Sequence, residues 1–411
     1  MSSSLPPEIF DLIVDHLCDE RAVLSACCTV SKSWVPRARK NLFFCVRFES
    51  EACVQSWMKT FPDPSSSPAH HTRVLVLRWY EATTAASTHA RPWVRSFCHI
   101  VELQVITYRR VSYLPFLGLS PILKSLSLNH SFISAKEVLN LICTFPLLEN
   151  LRLHSHSDGI DTVTDGWDAP SHSPKLTGTL HLSGRIRSVA SLLLRLPNGL
   201  RSSKIAITCS VQDAGSIHDL IFKCSDTLQS LCIGYHSSCA FFLQPRWWRR
   251  TLPSIIARNT FPVPPPTDLS NLTRLKNVEF QIYGPNTQWI TDSLQTAKSK
   301  NLRQITIYPI PASGEPVHQE WLDLDSLLAQ LWTSRSVLPK IVFPERFGMG
   351  GLAHLAPTLF PKLTSRGVEP VMCHASFEGE CDAGTTIELD SRTIGMRVCS
   401  YCLVFSEDSS F

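Results

Sequence analysis

A pair of apolar residues separated by one position recurs along most of the chain at a nearly constant interval. The first seven copies are Leu75 with Leu77, Leu103 with Val105, Leu126 with Leu128, Leu151 with Leu153, Leu180 with Leu182, Ile205 with Ile207, and Leu231 with Ile233. Successive copies are 28, 23, 25, 29, 25 and 26 residues apart, which averages 26. Because residues two positions apart on a strand face the same side, each pair predicts a β-strand with one buried face. A period of this length is typical of stacked structural repeats.

The repeat continues less regularly towards the C-terminus. Three further pairs are Val278 with Phe280, Ile305 with Ile307, and Ile341 with Phe343. The 47-residue interval between Leu231 and Val278 leaves room for an irregular repeat plus an insertion. Between strands, the segments 134–144 and 217–224 have apolar residues at helical spacing. Strands that alternate with helices predict an α/β fold, and we expect the units to stack into a right-handed solenoid.

Three of the copies have a fuller pattern, Leu-x-x-Leu-x-Leu or its Ile variant. They begin at Leu123, Leu148 and Leu228. This body resembles the leucine-rich-repeat class, which implies a concave strand face, from about Leu75 to Phe343, as a binding surface. It departs from that class at Ser131, His156 and His236, where Asn or Cys is expected. The alternative is a mixed α/β domain whose strands happen to be evenly spaced.

The first 45 residues have the pattern of short amphipathic helices instead. The prolines at 6–7 are suited to a helix start, where a backbone N–H has no intrahelical partner. Ile9, Ile13 and Leu17 recur every four residues, which predicts an apolar stripe on this helix. Two more short helices are predicted around 24–28 and 34–42.

Charge is divided between the first and third of these helices. The acidic residues are Glu8, Asp11, Asp15, Asp19 and Glu20, and the basic residues are Lys32, Arg37, Arg39 and Lys40. Such a division favours packing between the helices or an oriented partner.

Residues 5 to 45 closely resemble the F-box, over about a tenth of the chain. The positions that match its hydrophobic signature are Leu5, Pro6, Ile9, Ile13, Leu17, Leu24, Val30 and Trp34. The departure is Glu20-Arg21 near the usual Asp-Leu, which leaves Leu24 to fill the pocket. The resemblance implies that these residues face the Skp adaptor or form the core of the module, and that the adaptor is tethered to a cullin scaffold. The alternative is an ordinary N-terminal helical hairpin.

Composition excludes several classes of protein. A net charge of +4 with dispersed basic residues does not require a nucleic-acid partner. Fifteen cysteines in 411 residues are too few for a disulfide scaffold, and most lie in apolar runs, so we expect reduced core thiols. The N-terminal residues lack the apolar run of a signal peptide, and no uncharged stretch reaches the roughly 18 residues of a membrane span. We therefore expect a cytoplasmic or nuclear protein that binds neither membrane nor nucleic acid.

Candidate catalytic and metal-binding motifs lack the context they need. The glycines at 348–353 match GxGxxA, but too few residues follow for a dinucleotide-binding sheet, so a turn before a capping helix is expected. His318 and Glu320 form HxE, but Val398 replaces the proline of the PCxxC that zinc deaminases have.

A C-terminal cluster is open to two interpretations, a zinc knuckle or reduced cysteines in capping strands. Its members are Cys373, His374, Cys381, Cys399 and Cys402. We assign no catalytic residue, metal site or cofactor.

The most unusual internal stretch is an arginine and tryptophan run. Arg246, Trp247, Trp248 and Arg249 precede the proline-rich segment 261–266. Tryptophan and arginine dominate binding hot spots, so these four are candidate client-binding residues. The alternative is a packed tryptophan pair covered by arginine stems.

The sequence thus predicts four regions: 1–48, an F-box helical module; 49–72, a linker; 73–345, a leucine-rich-repeat-like solenoid; and 346–411, a C-terminal capping region. The predicted function is a non-catalytic substrate receptor of a Skp-cullin-F-box ubiquitin ligase, with an unidentified client protein. The alternative is a ligase-independent interaction scaffold built on the repeats.

Overall fold

A computed structural model describes most of the chain as two compact units, one within Met1–Ser203 and Gly215–Cys224, the other within Lys204–Ala214 and Ser225–Phe411. The described residues are 6–18, 20–63, 66–79, 94, 96–107, 116–117, 119–130, 134–155, 170, 172–236, 263–283, 286–310, 319–344 and 355–373.

The first unit begins with three helices and continues into parallel strands. Its elements are α1 (Pro7–His16), α2 (Arg21–Val30), α3 (Val35–Leu42), β1 (Cys45–Phe48), α4 (Glu51–Thr60), a 3-10 turn (Pro68–His71), β2 (Val74–Trp79), β3 (Glu102–Thr107), β4 (Ser125–His130), α5 (Ala135–Cys143), β5 (Asn150–Ser155), β6 (Thr179–Gly184), α6 (Arg187–Leu193) and, apart from its first residue, α7 (Ala214–Lys223). Strands β1 to β6 pair successively in parallel, from β1 with β2 to β5 with β6.

Two rows of apolar side chains cross the strands of the first unit in register. One row is Val46, Leu75, Leu103, Leu126, Leu151 and Leu180, and the other is Phe48, Leu77, Val105, Leu128, Leu153 and Leu182. All twelve side chains are at most 5% exposed. The register fixes the strand spacing, because a slip of one residue would turn a row away from the core.

Helix α5 illustrates how local sequence sets the connections. Ser134 caps it by accepting a hydrogen bond from the Glu137 backbone N–H at 3.2 Å. Its buried side chains follow the helical period, and they are Ala135, Val138, Leu139, Leu141 and Ile142. The predictions of helices over 134–144 and 217–224 are confirmed by α5 and α7.

The segment 49–72, predicted as a linker, contains α4 and the 3-10 turn. Ser50 caps α4 by accepting from the Cys53 backbone N–H at 3.4 Å. Trp57 on α4 holds the segment in place, since its ring lies 5.6 Å from that of Phe48 and 5.7 Å from that of Phe97. The proline and serine content of this segment is typical of a loop, and its contacts could not be predicted because they join residues distant in sequence.

The second unit also consists of parallel strands in chain order. Its elements are β7 (Lys204–Ser210), a 3-10 turn (Val211–Asp213), β8 (Ser230–His236), β9 (Asn277–Tyr283), α8 (Gln288–Thr296), β10 (Gln304–Ile310), α9 (Gln319–Arg335), β11 (Leu338–Pro344), α10 (Ala356–Leu359), α11 (Pro361–Ser365) and β12 (Val371–Cys373). Strands β7 to β12 pair successively in parallel.

All ten predicted apolar pairs lie on strands with both members buried, which confirms that part of the prediction. Between β10 and β11 the apolar residues are offset by two positions. Ile341, the first member of its pair, lies opposite Ile307, the second member of the preceding pair, and Pro339 lies opposite Ile305. The α/β class is therefore confirmed, with parallel strands in both units. None of the described helices combines the length and apolar character needed to cross a bilayer.

Candidate functional site

Helix α1 presents apolar side chains to solvent. Ile9, Leu12 and Ile13 are 40%, 64% and 42% exposed, and their spacing puts them on one helix face. Val30, the last residue of α2, is 67% exposed. We call these four side chains the apolar surface.

The interior beneath these helices is already filled by other side chains. Val14, Leu24, Cys27 and Ala38 form a buried cluster with no side chain above 4% exposure. The partly buried residues packed against it are Leu17, Val23, Cys28, Trp34 and Leu42. The three helices therefore have a buried core that does not include the four side chains of the apolar surface.

An ion pair fixes α1 against α3. The guanidinium of Arg37 donates from Nε to Asp15 Oδ1 at 2.6 Å and from Nη2 to Asp15 Oδ2. Asn41 Nδ2 also donates to Asp15 Oδ1 at 2.9 Å and to the Val14 carbonyl at 3.2 Å. These hydrogen bonds, that of Arg37 above all, lower the pKa of Asp15 to about 2. Part of the charge division seen in the sequence therefore serves packing between helices.

The eight predicted adaptor residues occupy different environments. Pro6, Ile9, Ile13 and Val30 are exposed, whereas Leu24 is fully buried. Leu17 and Trp34 are partly buried, and the Trp34 ring lies 5.5 Å from that of Phe10. Leu5 lies outside the described residues. The predicted stripe of Ile9, Ile13 and Leu17 thus divides into a solvent-facing part and a part against the core.

Sequence reasoning missed Leu12, the most exposed apolar residue of α1. The four-residue repeat passes over it, although its spacing of three from Ile9 would have placed it on the same face. It also missed Val14, whose side chain is 1% exposed.

The other face of the strands in the first unit is polar between β4 and β6. Arg152 and His181 are register partners, and so are His154 and Ser183. His154 Nδ1 hydrogen-bonds Ser183 Oγ. Burial, with the nearby Arg152 as a smaller cause, lowers the pKa of His181 to about 3, so its imidazole is neutral at physiological pH.

The corresponding face of the second unit carries a hydrogen-bonded cluster. Thr208 Oγ1 donates to Gln281 Oε1 at 3.0 Å, and Gln281 Nε2 donates to Cys232 Sγ at 3.5 Å. Tyr308 Oη donates to Glu279 Oε2 at 3.3 Å. Burial raises the pKa of Glu279 and that of Cys232. The Cys232 thiol is therefore a poor nucleophile, because the thiolate is the reactive form.

Glu320 of the predicted HxE pair hydrogen-bonds the N-terminal end of α8. Its Oε2 accepts backbone hydrogen bonds from Thr287 at 2.9 Å and Gln288 at 3.4 Å, where α8 begins. A carboxylate at this position satisfies N–H groups that have no partner within the helix. His318 lies outside the described residues.

Several predicted sites cannot be located in the described part of the chain. Arg246, Trp247, Trp248 and Arg249 lie outside it, as do the glycines at 348–351 and the cysteines and histidine from 374 onwards. Among the described residues, no group of three or more His, Cys, Asp or Glu side chains is arranged to hold a metal ion. The predictions made for these segments remain predictions.

A comparison of the chain with models of protein families and with curated proteins found no match.

Proposed function

We propose that this protein is a substrate receptor of a Skp-cullin-F-box ubiquitin ligase. In this proposal α1 to α3 form an F-box module that docks the Skp adaptor, and through it the cullin. The strand-bearing units bind a client protein and carry no catalytic residue. The proposal starts from the resemblance of residues 5 to 45 to the F-box.

The observation that carries the proposal is the apolar surface on α1 and α2. The side chains of the apolar surface are 40% to 67% exposed, although the three helices bury a core of other apolar side chains. Burying a large apolar side chain contributes about 1.5 to 3 kcal/mol, so four of them on a small module favour a partner. The F-box resemblance names the Skp adaptor as that partner.

The parallel strands support the proposal that the rest of the chain binds a client protein. Parallel strands that pair in chain order, with a mean spacing of 26 residues and two buried rows, are what a leucine-rich-repeat-like right-handed solenoid would have. The strand face of the first unit would offer polar side chains such as Arg152 to a client, and that of the second unit would offer Glu279 and Tyr308. Solenoids bind partners along such extended faces.

The test is complex formation between the full-length chain and the Skp adaptor, measured by size-exclusion chromatography and calorimetry. The informative substitution is Leu12→Asp, which alters the apolar surface without entering the core. Leu147→Asp is the matched control, because Leu147 is a similarly exposed leucine, at 51%, outside the three helices. Leu17 is unsuited to this test because it packs against the core.

We expect a one-to-one complex that Leu12→Asp weakens by at least about tenfold and Leu147→Asp leaves unchanged, since a charge in an apolar contact costs well over 1 kcal/mol. A folded wild-type chain that does not bind the adaptor would contradict the proposal. The ligase-independent interaction scaffold would then be the better description.

A further inference from the structure

Basic side chains cluster where α3 packs against the 3-10 turn Pro68–His71. The cluster comprises Arg39, Lys40, His70, His71 and Arg73, and we call it the basic cluster. Arg39, Lys40 and His70 are exposed, and the other two are partly buried.

Local contacts hold the two histidines and Arg73 of the basic cluster in place. The His70 and His71 rings lie 3.9 Å apart, and His70 Nδ1 lies 2.8 Å from the Ser67 carbonyl oxygen. Arg73 Nη1 donates to the His99 carbonyl at 2.7 Å, and the Arg73 backbone N–H donates to the Phe44 carbonyl at 2.9 Å. The cluster is thus part of the folded unit.

Like charges meet in this cluster, and the acidic residue that interacts with Lys40, Asp15, is already paired with Arg37. Within the described residues neither Arg39, Lys40 nor Arg73 forms an ion pair, in contrast to Arg37 on the same helix as Arg39 and Lys40. Burial is the largest cause that lowers the pKa of His71, and every charged neighbour that adds to the shift is basic. These neighbours are His70, Arg39, Lys40 and Arg73. Such self-repulsion disfavours the folded state and is relieved when an anionic partner binds.

We propose that the basic cluster binds an acidic segment of a partner protein. Two arginines and one lysine carry its permanent charge, which matches a short run of Asp and Glu. A nucleic acid is less well matched, because its affinity grows with the number of phosphates that the protein neutralises, and three cations neutralise few of them. Phe44, 46% exposed and joined to Arg73 through the backbone, offers an apolar contact at the edge.

This inference does not depend on adaptor docking, because the residues of the basic cluster and those of the apolar surface are different. The probe is a fluorescent oligoglutamate of about ten residues, a length that spans three charges with room to spare. Its binding to the full-length chain is measured by fluorescence anisotropy. An oligoglutamine of the same length and a single-stranded oligonucleotide are run beside it.

The test variant is Arg39→Glu with Lys40→Glu. The matched control, Lys300→Glu with Arg303→Glu, makes the same change of net charge at two exposed residues of the second unit. We expect the test variant to bind oligoglutamate about tenfold more weakly and the control to bind it normally, since two favourable charge interactions become unfavourable. The neutral pair Arg39→Gln with Lys40→Gln should show a smaller loss and keeps the test informative if the charge-reversed variant unfolds.

Absence of binding, or equal loss in the control variant, would overturn the proposal. Tighter binding of the oligonucleotide, lost in the test variant, would overturn it in favour of a nucleic-acid ligand.

Discussion

Asp15 on α1 accepts two hydrogen bonds from the guanidinium of Arg37 on α3, and this pair, 22 residues apart in sequence, joins the two helices. The two side chains are about one third exposed, so solvent screens their attraction. Because Asn41 donates to the same carboxylate, loss of Asp15 would remove the acceptor of Arg37 and leave Asn41 with the Val14 carbonyl alone.

We predict that Asp15→Asn lowers the free energy of unfolding by about 1 kcal/mol near neutral pH, a value that allows for this screening. The measurement is chemical denaturation followed by circular dichroism. Asp11→Asn, on the same helix, is the control, since Asp11 is exposed and should contribute little.

The cost of Asp15→Asn should depend on pH. The pKa of Asp15 is about 2 in the folded chain, below its ordinary 3.8, so its contribution is present above pH 3.8 and is lost as the pH falls towards 2. We expect the difference in unfolding free energy between the wild type and this variant to shrink over that interval. A difference that stays constant from neutral pH to pH 2 would mean that the ion pair does not stabilise the fold.

Gly184 at the end of β6 cannot carry a side chain. Its φ is +88°, and a Cβ would lie 1.8 Å from the Ser155 carbonyl oxygen on the neighbouring strand. We predict that Gly184→Ala destabilises the chain by roughly 3 kcal/mol, from backbone strain and displacement of β5. Gly215→Ala is the control, because its Cβ meets open space within α7, and it should leave the melting temperature unchanged or raise it. Equal melting temperatures for the two variants would be inconsistent with the close approach of β5 and β6.

Asp325, fully buried on α9, caps α11. Its carboxylate accepts backbone hydrogen bonds from Lys362 at 2.8 Å and Leu363 at 3.0 Å. Asp325→Ala should cost about 1 to 3 kcal/mol locally, because two N–H groups lose their acceptor. Hydrogen exchange of these two amides should accelerate. Asp323→Ala, at an exposed site on the same helix, should leave their exchange unchanged.

The cysteines that the structure describes should divide into two classes by their rate of alkylation. Burial raises the pKa of Cys143 and of Cys224 to about 11, so few of these thiols are ionised near pH 8. Cys18, Cys53 and Cys98 are exposed and should react with iodoacetamide first. Mass spectrometry of the labelled peptides measures the order, and urea should abolish the difference. Early labelling of Cys143 in the folded chain would contradict the burial of its thiol.

The period of apolar pairs was sufficient to predict the strands, because a residue that must face the core recurs every second position on a strand and every repeat along the chain. Helices α5 and α7 could be predicted in the same way from their apolar spacing. Helix α4 could not, because Trp57 is held by Phe48 and Phe97, and a contact between distant residues leaves no local signal.

Sequence alone determined which residues at the N-terminus are apolar and helical, but not which of them face solvent. Ile9, Leu12, Val14 and Leu17 are alike in hydrophobicity, and all four lie within α1 or at its C-terminal end. Only the packing of α2 and α3 against one side of α1 decides that Val14 is buried and Leu12 is exposed. The basic cluster has the same origin, since residues 39–40 and 70–73 become neighbours only when the turn packs on α3. Burial and charge proximity are properties of tertiary packing, because they depend on neighbours that the chain brings together only when it folds.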